Sequence, residues 1–316
     1  MLTDKTLTFA TANLFNFIEP PGAYYDFENI YERDAWQEKC RWTKEQIKKL
    51  DADIVGIQEV FSIEAAQALF SQLGYHHFAV VDKPNVEQEY IYSHPVVALA
   101  SKYPIKQIQA VEPPSSITEN YHVATPKFSR QPLYAIIDVP DIGEIAVYVC
   151  HLKSQRATES HLPEKAHSIV GRWLSSQQRG WEAVMLRVFM EQQYANHPLP
   201  TVLLGDMNQA LTSDITSLLT TSADISGQSL QLTDSWQIYS QTNNKAQRPA
   251  THYHFATGNV LDYVLLSPEF QPDSPYSLAD VVAYQTLDTH LINPSFETDK
   301  QASDHAFVAV TVQFVL

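Results

Sequence analysis

The sequence is poor in cysteine, in glycine and in basic residues. Its 316 residues include two cysteines, Cys40 and Cys150, a number that favours a reduced compartment and leaves a single bridge open. None of the 9 glycines builds a glycine-rich phosphate loop, so a P-loop or dinucleotide-binding fold has no support. Lys and Arg number 21 against 36 Asp and Glu, and the net charge of −15 disfavours tight, sequence-independent binding of nucleic acid. A phosphate substrate stays compatible with this charge, because a bound divalent cation can supply local positive charge.

Long apolar runs are also missing. No segment is long and apolar enough to span a membrane, and residues 1–5 lack the apolar core of a signal peptide. The sequence as given therefore predicts a cytoplasmic protein, and export after removal of a leader stays open. Internal repeats and linker-like composition are absent as well, so we expect a single domain over residues 1–316.

The chain does contain a series of short apolar, β-branched runs separated by polar segments. They predict strands at residues 7–17, 53–60, 75–81, 96–100, 133–139, 144–150, 201–204, 260–266, 280–284 and 306–316. Amphipathic periodicity predicts helices at residues 35–50, 63–73, 167–196 and 215–219. Irregular or mixed structure is expected at residues 82–94, 107–127, 156–164, 222–247, 270–279 and 285–301, with at most a short strand in 107–127. This order favours one α/β domain with much antiparallel pairing over a simple βα alternation.

The stretch from Thr201 to Asn208 is the centre of the candidate site. A short buried strand runs into Gly205, and Asp206 and Asn208 follow at its end. Because side chains alternate along an extended chain, we expect these two polar side chains to point the same way. A carboxylate beside an amide can hold a water or a metal and still donate to an anion. A plain turn is the alternative, since Gly, Asp and Asn all favour turns.

Polar residues follow or interrupt the apolar strands at six places. They are Asn13, Glu59, His151 with Lys153, Asp206 with Asn208, Asp262, and Asp304 with His305. Residues at strand ends of packed α/β sheets gather at one crevice, so we expect these side chains to lie together. Magnesium takes hard oxygen ligands, for which Glu59 and Asp304 are suited, and Asn13 offers an amide oxygen. The set therefore predicts a magnesium-type phosphoester site.

The mechanism expected at such a site is attack of an activated water on phosphorus. Asp206 would orient or deprotonate the water, and Asn208 would hold a phosphoryl oxygen. The metal and a histidine would offset the charge that builds on the phosphoryl oxygens. His305 needs an acid that sets its tautomer and keeps it protonated, and Asp262 is the candidate. Zinc-type spacing of Cys and His and a Gly-x-Ser-x-Gly elbow are both absent, so neither a zinc site nor serine-hydrolase chemistry is indicated.

Each of these residues also has an interpretation without chemistry. A lone strand-end histidine such as His151 is more often a satisfied core residue than a catalyst. Arg130 and Lys153 would suit solvated surface positions, and Asp262 would suit a turn or a helix cap. The alternating stretch at residues 252–255 is more often packing than a platform on which a ligand stacks.

Eight segments occur in an order that is more specific than any one of them. They are residues 11–16 (TANLFN), 52–60 (ADIVGIQEV), 98–105 (ALASKYPI), 128–133 (FSRQPL), 151–154 (HLKS), 205–208 (GDMN), 261–265 (LDYVL) and 303–305 (SDH). This ordered set, which covers nearly the whole chain, resembles the endonuclease/exonuclease/phosphatase superfamily. The superfamily includes pancreatic-type deoxyribonucleases, abasic-site endonucleases, inositol polyphosphate 5-phosphatases and bacterial sphingomyelinases.

The resemblance implies both a fold and a class of activity. The implied fold is a four-layer α/β sandwich, with two mixed β-sheets packed face to face and helices on the outside. The implied activity is that of a phosphoesterase that depends on Mg²⁺ or Mn²⁺. Glu59 takes the metal-ligand role in this comparison, with Asn13 and Asp304 near it.

The catalytic roles are carried over in the same way. Asp206 takes the water-activating role, and Asn208 binds the phosphoryl group. His305, paired with Asp262, polarises the phosphate. His151 takes the role of the second histidine of the pancreatic-type branch.

The remaining roles concern the substrate and the partner of the second histidine. Arg130 falls in the segment that resembles the phosphate-contacting arginine segment, and Lys153 in the one that resembles a bacterial nuclease-like branch. The pancreatic-type branch gives its second histidine a glutamate partner, for which Glu89 is the candidate.

The sequence leaves the substrate between two classes. The resemblance to a bacterial nuclease-like branch favours nucleic acid, whereas the charge of −15 favours a smaller or lipid-derived phosphoester. A groove lined by Lys127, Arg130, Lys153 and Arg156 would favour nucleic acid, and a closed pocket would favour a small ester. A non-catalytic binding module is a third alternative, which predicts loss of key groups that this sequence retains.

Overall fold

The computed structural model of the protein describes residues 4–222, 229–243 and 247–315. Within them the strands are β1 (Asp4–Phe17), β2 (Ala23–Tyr24), β3 (Ile54–Val60), β4 (His77–Ala79), β5 (Asn85–Glu87), β6 (Ile91–Ser93), β7 (Val96–Ser101), β8 (Ile105–Ala110), β9 (Leu133–Val139), β10 (Gly143–His151), β11 (Thr201–Asp206), β12 (Thr233–Asp234), β13 (His252–His254), β14 (Thr257–Asn259), β15 (Asp262–Leu266), β16 (Ala279–Leu287) and β17 (Phe307–Val315). The α-helices are α1 (Arg33–Leu50), α2 (Ile63–Ser71), α3 (Ser115–Tyr121), α4 (Ser168–Asn196), α5 (Ser235–Thr242) and α6 (Thr289–Ile292). Short 3-10 helices lie at Pro163–Lys165, Thr216–Leu219 and Pro268–Phe270.

Two six-stranded sheets form the centre of the described structure. The first sheet has the strand order β16-β17-β1-β3-β7-β4, and the second has the order β12-β15-β11-β10-β9-β8. Each sheet is mixed, because β1 and β3 run parallel in the first and β10 and β11 run parallel in the second, between antiparallel neighbours. Parallel neighbours end at the same edge of a sheet. The carboxyl ends of β1 and β3, and likewise those of β10 and β11, therefore lie side by side.

The two sheets pack face to face through fully buried aliphatic side chains. Leu7 and Ile54 come from the first sheet, and Val202 and Leu204 come from the second. The sheets approach so closely that a Cβ atom on Gly56 would lie 2.8 Å from the Cβ of Leu204, which leaves room only for glycine. The alternation of side chains along each strand directs one set into this core and the other set outward.

Helices cover the outward faces of both sheets. Trp42 and Ile47 of α1 and Phe70 of α2 pack on the first sheet, whereas Leu186 and Met190 of α4 pack on the second. Each sheet thereby buries both of its faces. The predicted α/β fold, a four-layer sandwich with two mixed sheets between outer helices, is confirmed.

Several segments that were predicted to be irregular contain regular structure. Residues 82–94 hold β5 and β6, residues 107–127 hold the end of β8 and all of α3, and residues 285–301 hold the end of β16 and α6. Strand β5 is exposed along its whole length and β8 is largely exposed, so no apolar alternation marks them in the sequence. In the mixed segment 222–247 the structure describes β12 and α5. Residues 223–228 and 244–246, and residue 316 of the last predicted strand, lie outside the described residues.

Two further expectations concern the cysteines and the membrane. Cys40 and Cys150 are both free thiols, so the single bridge that the sequence left open does not form. No helix among the described residues is long and apolar enough to cross a membrane.

Candidate active site

The strand register brings three of the predicted residues into one row. At the end of the second sheet His151 pairs with Asp206 across the parallel strands β10 and β11. Asp206 in turn pairs with Asp262 across the antiparallel strands β11 and β15. In the facing sheet, Asn13 of β1 pairs with Gln58 of β3, immediately before Glu59. The sheet-to-sheet packing therefore places both sets of strand ends at one edge of the sandwich.

Asp206 lies at the centre of this group and is 1% exposed. Its Oδ2 accepts a hydrogen bond of 3.1 Å from Asn13 Nδ2 and lies 3.4 Å from His151 Nε2 and 3.7 Å from His305 Nε2. Burial raises the pKa of Asp206 to about 7; the His305 charge opposes this rise and the Asp262 charge adds to it. A carboxylate with this pKa is suited to taking up a proton near neutral pH.

His305 is held in one orientation by its neighbours. Its Nδ1 lies 2.8 Å from Asp262 Oδ2, and its backbone N–H donates to Ser303 Oγ at 3.0 Å. Burial lowers the pKa of His305, but the carboxylates of Asp262 and Asp206 outweigh burial and raise it well above its ordinary value. The geometry therefore favours an imidazolium whose Nε2–H faces Asp206.

Glu59 and Asp304 supply the oxygen atoms that suit a divalent cation. Glu59 Oε2 accepts from the backbone N–H of Asn16 at 2.8 Å, and its backbone has a φ of 61°, in the left-handed region. Asp304 Oδ1 is buried and has no hydrogen-bond partner among the residues that the structure describes. A buried carboxylate oxygen without a donor is costly unless a cation or water binds it. The donor set therefore fits a hard cation such as Mg²⁺.

Asn13 presents its amide nitrogen, not its oxygen, to the two carboxylates. Its Nδ2 donates to Asp206 Oδ2 at 3.1 Å and lies 3.4 Å from Glu59 Oε1. Its Oδ1 accepts from the backbone N–H of Phe15 at 3.0 Å, which fixes this orientation of the amide. Asn13 therefore links the carboxylate of one sheet to that of the other.

Asn208 lies beyond the end of its strand. β11 ends at Asp206 and Asn208 has a φ of 54°, so the alternation that predicted a shared direction for the two side chains does not extend to Asn208. The backbone N–H of Asn208 donates to Asp206 Oδ1 at 2.8 Å, and its Nδ2 donates to the carbonyl of Leu152 at 2.9 Å. The left-handed turn thus fixes the Asp206 carboxylate.

His151 has only part of the predicted environment. It is 3% exposed, and its Nδ1 has no hydrogen-bond partner among the described residues. Glu89, the candidate partner, is exposed, and it forms no hydrogen bond to this nitrogen among the described residues. Burial and then the charges of Arg130 and His305 lower the pKa of His151 well below its ordinary value. His151 is therefore neutral, and it faces Asp206 as an uncharged imidazole.

Basic side chains flank the group on the side of β10. Arg130 Nη1 donates to the carbonyl of Leu152 at 3.3 Å, next to His151. The backbone N–H of Lys153 is held by Glu182 Oε2 at 2.6 Å. The pKa of Lys153 is lowered, first by burial and then by the charge of Arg130. These two cations are thus close enough to repel each other, an arrangement that an anionic ligand would relieve.

The sequence interpretation missed two residues next to this site. Lys39 of α1 is 1% exposed, and its ammonium group lies 5.5 Å from the ring centroid of Phe15. Burial lowers the pKa of Lys39 to about 8, against the opposing charges of Glu59 and Asp304. Spacing could have found it, because Lys39 follows the buried Trp36 by three residues on the inner face of the helix. The second missed residue is a histidine of the stretch assigned to packing.

That histidine is His252, on strand β13. Its ring centroid lies 4.9 Å from that of His305, and its Nε2 lies 4.0 Å from Asp304 Oδ2. No local pattern could reveal this, because 52 or more residues separate His252 from the two residues it faces.

The geometry can be compared with known proteins. A model of the family described as "Endonuclease/Exonuclease/phosphatase family" matches residues 40–305 of the chain. The chain belongs to this family. The resemblance drawn from the eight segments is therefore confirmed, and members of the endonuclease/exonuclease/phosphatase family are typically hydrolases of phosphoesters that use divalent metals. A comparison with curated protein sequences gives no match.

Solved structures share the fold at low sequence identity. An endonuclease/exonuclease/phosphatase from Beutenbergia cavernae is 18% identical with a TM-score of 0.59, over 98% of this chain and 72% of that one. The human Nocturnin catalytic domain with bound sulfate is 16% identical with a TM-score of 0.60, over 99% and 98%. A mannosyl-6-phosphatase from Bacteroides thetaiotaomicron is 17% identical with a TM-score of 0.56, over 97% and 99%. At these identities the likeness shows the family fold alone.

Proposed function

We propose that the protein is a divalent-metal-dependent phosphodiesterase and that its substrate is nucleic acid. The observation that carries the proposal is the position of Asp206. This buried carboxylate lies between two histidines, 3.4 Å from His151 and 3.7 Å from His305, at the edge where both sheets end. The pKa values of Asp206 and His305 are both raised, which suits Asp206 to act as the base and His305 to act as the protonated group.

The chain's own residues supply the base and the charge stabilisation. Asp206 accepts a proton from the attacking water, and the backbone N–H of Asn208 keeps its carboxylate in place. His305, held protonated by Asp262, donates a hydrogen bond toward the phosphoryl oxygens where negative charge develops. His151 is neutral and positions the water or the phosphate by hydrogen bonding.

Glu59 and Asp304 would hold the divalent ion, with Asn13 orienting the Glu59 carboxylate. The ion, Mg²⁺ or Mn²⁺, would supply Lewis-acid stabilisation of the phosphoryl charge when it is bound. The carboxylate oxygens of Glu59 and Asp304 are donors that such hard ions prefer.

Nucleic acid is favoured by the basic side chains beside Asp206. Arg130 and Lys153 flank His151, and Arg156 is exposed a short distance along the same loop. They form a local cationic strip on a chain with a net charge of −15. A backbone phosphate adjacent to the scissile one would find its counter-charge there.

The proposal is tested by cleavage of bis-p-nitrophenyl phosphate and of plasmid DNA with Mg²⁺, with Mn²⁺ and with EDTA. We expect metal-dependent cleavage of both substrates, reduced by about a thousandfold in Asp206→Asn and in His305→Ala, since each loses a group that acts in the transition state. Asp214→Asn, in a turn after β11, is the matched control and should retain activity. Folded variants that keep wild-type activity would disprove the assignment of these two residues.

A phosphatase or phosphodiesterase for a small or lipid-derived phosphoester is the second candidate. It is favoured by the net charge of −15, which opposes a long polyanion outside the basic strip. Cleavage of p-nitrophenyl phosphate or of a sugar phosphate without cleavage of DNA would select it. Failure of every phosphoester to react would instead select a non-catalytic binding module with the same fold.

A further inference from the structure

The base of the β13–β14 hairpin is fixed against the candidate active site. His252 forms an isolated antiparallel bridge with His305. The carbonyl of Thr251 accepts from the backbone N–H of Ala306 at 2.7 Å, and its Oγ accepts from the backbone N–H of Asp262 at 3.2 Å. The hairpin therefore cannot move away from His305 without breaking these backbone contacts.

This arrangement brings together three side chains that can bind one metal ion. His252 Nε2 lies 4.0 Å from Asp304 Oδ2, and His305 Nε2 lies 4.0 Å from Asp304 Oδ1. One ligand atom from each residue lies within 4.8 Å of the others. Ligands that share one Zn²⁺ at bond lengths of about 2.0–2.2 Å lie within about 4 Å of one another, so side-chain shifts below about 1 Å complete the site.

The surroundings of His305 match those of a metal-binding histidine. Ligating histidines almost always give their second ring nitrogen to a carboxylate, which fixes the tautomer and raises ligand basicity. In this chain Asp262 binds His305 Nδ1 at 2.8 Å, and His305 Nε2 lies 3.7 Å from Asp206 Oδ2 and 4.0 Å from Asp304 Oδ1.

Asp304, whose side chain is 45% exposed, contributes the same oxygen atom that supports the magnesium-type site. Its Oδ1 has no hydrogen-bond partner among the residues that the structure describes, so it lacks the donor that a buried oxygen ordinarily has. Two imidazoles with one carboxylate suit Zn²⁺, whereas Mg²⁺ prefers an all-oxygen set. The absence of zinc-type spacing in the sequence is no objection, because these three residues come from two distant segments of the chain.

We propose that His252, Asp304 and His305 form a Zn²⁺ site whose occupancy inhibits the enzyme. Zn²⁺ on His305 Nε2 takes the place of the proton that this nitrogen carries, and that proton is released to solvent. The same ion withdraws Asp304 from the magnesium-type site. Inhibition rests on the proposed phosphodiesterase function, whereas Zn²⁺ binding does not.

Zn²⁺ binding is measured on the full chain by calorimetry and by the visible spectrum of the Co²⁺-substituted protein. The variants are His252→Ala, His252→Gln and, as a control on the same hairpin, the exposed His254→Ala. Loss of an outer-shell partner costs about 10–100-fold in metal affinity, so loss of a ligand should weaken binding by about 100-fold. We expect this in both His252 variants, together with loss of the Co²⁺ band, and wild-type behaviour in His254→Ala.

The inhibition is measured as the fraction of each variant's own Mg²⁺-dependent activity that Zn²⁺ removes. Wild type and His254→Ala should be inhibited at Zn²⁺ concentrations that leave both His252 variants active. Unchanged Zn²⁺ affinity in the folded His252 variants would overturn the proposed site. An equal loss of Zn²⁺ affinity in His254→Ala would also overturn it, because the ion would then bind farther out on the hairpin. Binding without inhibition of an active enzyme would overturn the inhibitory role, whereas an enzyme inactive without Zn²⁺ would count against the proposed function alone.

Discussion

At the scale of single residues, burial and charge shift the pKa values of Asp206 and His305 in the directions that acid–base catalysis needs. Asp206 is a buried carboxylate with a pKa raised to about 7, and His305 is a buried histidine with a pKa raised well above its ordinary value. The first shift comes mainly from burial, whereas the second comes from the carboxylates of Asp262 and Asp206, which outweigh burial. Above pH 7 Asp206 is therefore in its base form while His305 still carries its proton as the acid.

These shifts predict the pH dependence of kcat/KM. As the pH falls Asp206 becomes protonated, so kcat/KM should decrease about tenfold per pH unit. This acid limb should lie at or below pH 7, because a bound cation favours the carboxylate form of Asp206. At high pH activity should fall as His305 loses its proton. Asp262→Asn removes a charge that holds this proton, so its alkaline limb should move to lower pH.

The measurement is the pH profile of kcat/KM for bis-p-nitrophenyl phosphate at saturating Mg²⁺. Asp273→Asn, which removes an exposed carboxylate from a loop, is the matched control and should leave both limbs in place. An alkaline limb that does not move in folded Asp262→Asn would remove Asp262 from its role as the partner of His305.

At the scale of elements, the site depends on how closely β10 and β11 approach. A Cβ atom on Gly205 would lie 2.3 Å from the carbonyl oxygen of Cys150 and 2.7 Å from its Sγ. The glycine before Asp206 is therefore required by packing and not by backbone conformation. This explains why the strand can present a carboxylate directly opposite His151.

Gly205→Ala is expected to destabilise the protein by about 3 kcal/mol, because the backbone oxygen of Cys150 cannot yield as a flexible side chain would. Gly180→Ala is the control: its Cβ would meet only Ile215 Cγ2 at 3.8 Å, and alanine in a helix interior should stabilise by up to about 1 kcal/mol. Guanidinium unfolding of the two variants measures both changes. Equal stability of the two would show that β10 and β11 can separate at no cost.

The helices and strands also differ in how well the sequence predicted them. The helices α1, α2 and α4 and the central strands were predicted from apolar periodicity, because each buries one face or both. Strand β5 and helix α3 were missed, since their side chains are largely exposed and leave no apolar pattern. Strand β8, in which no side chain is buried, was allowed for only as a short strand in a long loop. The stretch at residues 252–255 was assigned to packing, and the position of His252 at the site follows only from its bridge to His305.

At the scale of the whole molecule, an acidic protein carries a local basic strip beside its site. The net charge is −15, yet Arg130, Lys153 and Arg156 lie along the segments that flank His151. Such a distribution repels a polyanion from most of the surface and attracts it at one place. Phosphate contacts of this kind position a nucleic acid without reading its sequence.

Charge reversal in the strip should therefore weaken the binding of DNA more than the binding of a small ester. Arg156→Glu should raise KM for plasmid DNA about five- to tenfold and lower the salt dependence of binding by about one counterion, with a smaller change for bis-p-nitrophenyl phosphate. Arg172→Glu on α4 makes the same charge change at another exposed position and serves as the control. Equal effects of the two reversals would show that net charge, and not the strip, governs DNA binding.

The sequence by itself determined the family fold and the residue types of the site. Apolar runs had to become buried strands, and the ordered segments around Asn13, Glu59, Asp206 and His305 sufficed for the family, because each is a local pattern. Only the tertiary structure decided which atoms face one another. These include the contact of His252 with Asp304, the burial of Lys39, and the Nδ1 of His151, which has no hydrogen-bond partner in the part of the chain that the structure describes. Each depends on residues far apart in the chain, whose distances are set when the two sheets pack and not by any local sequence.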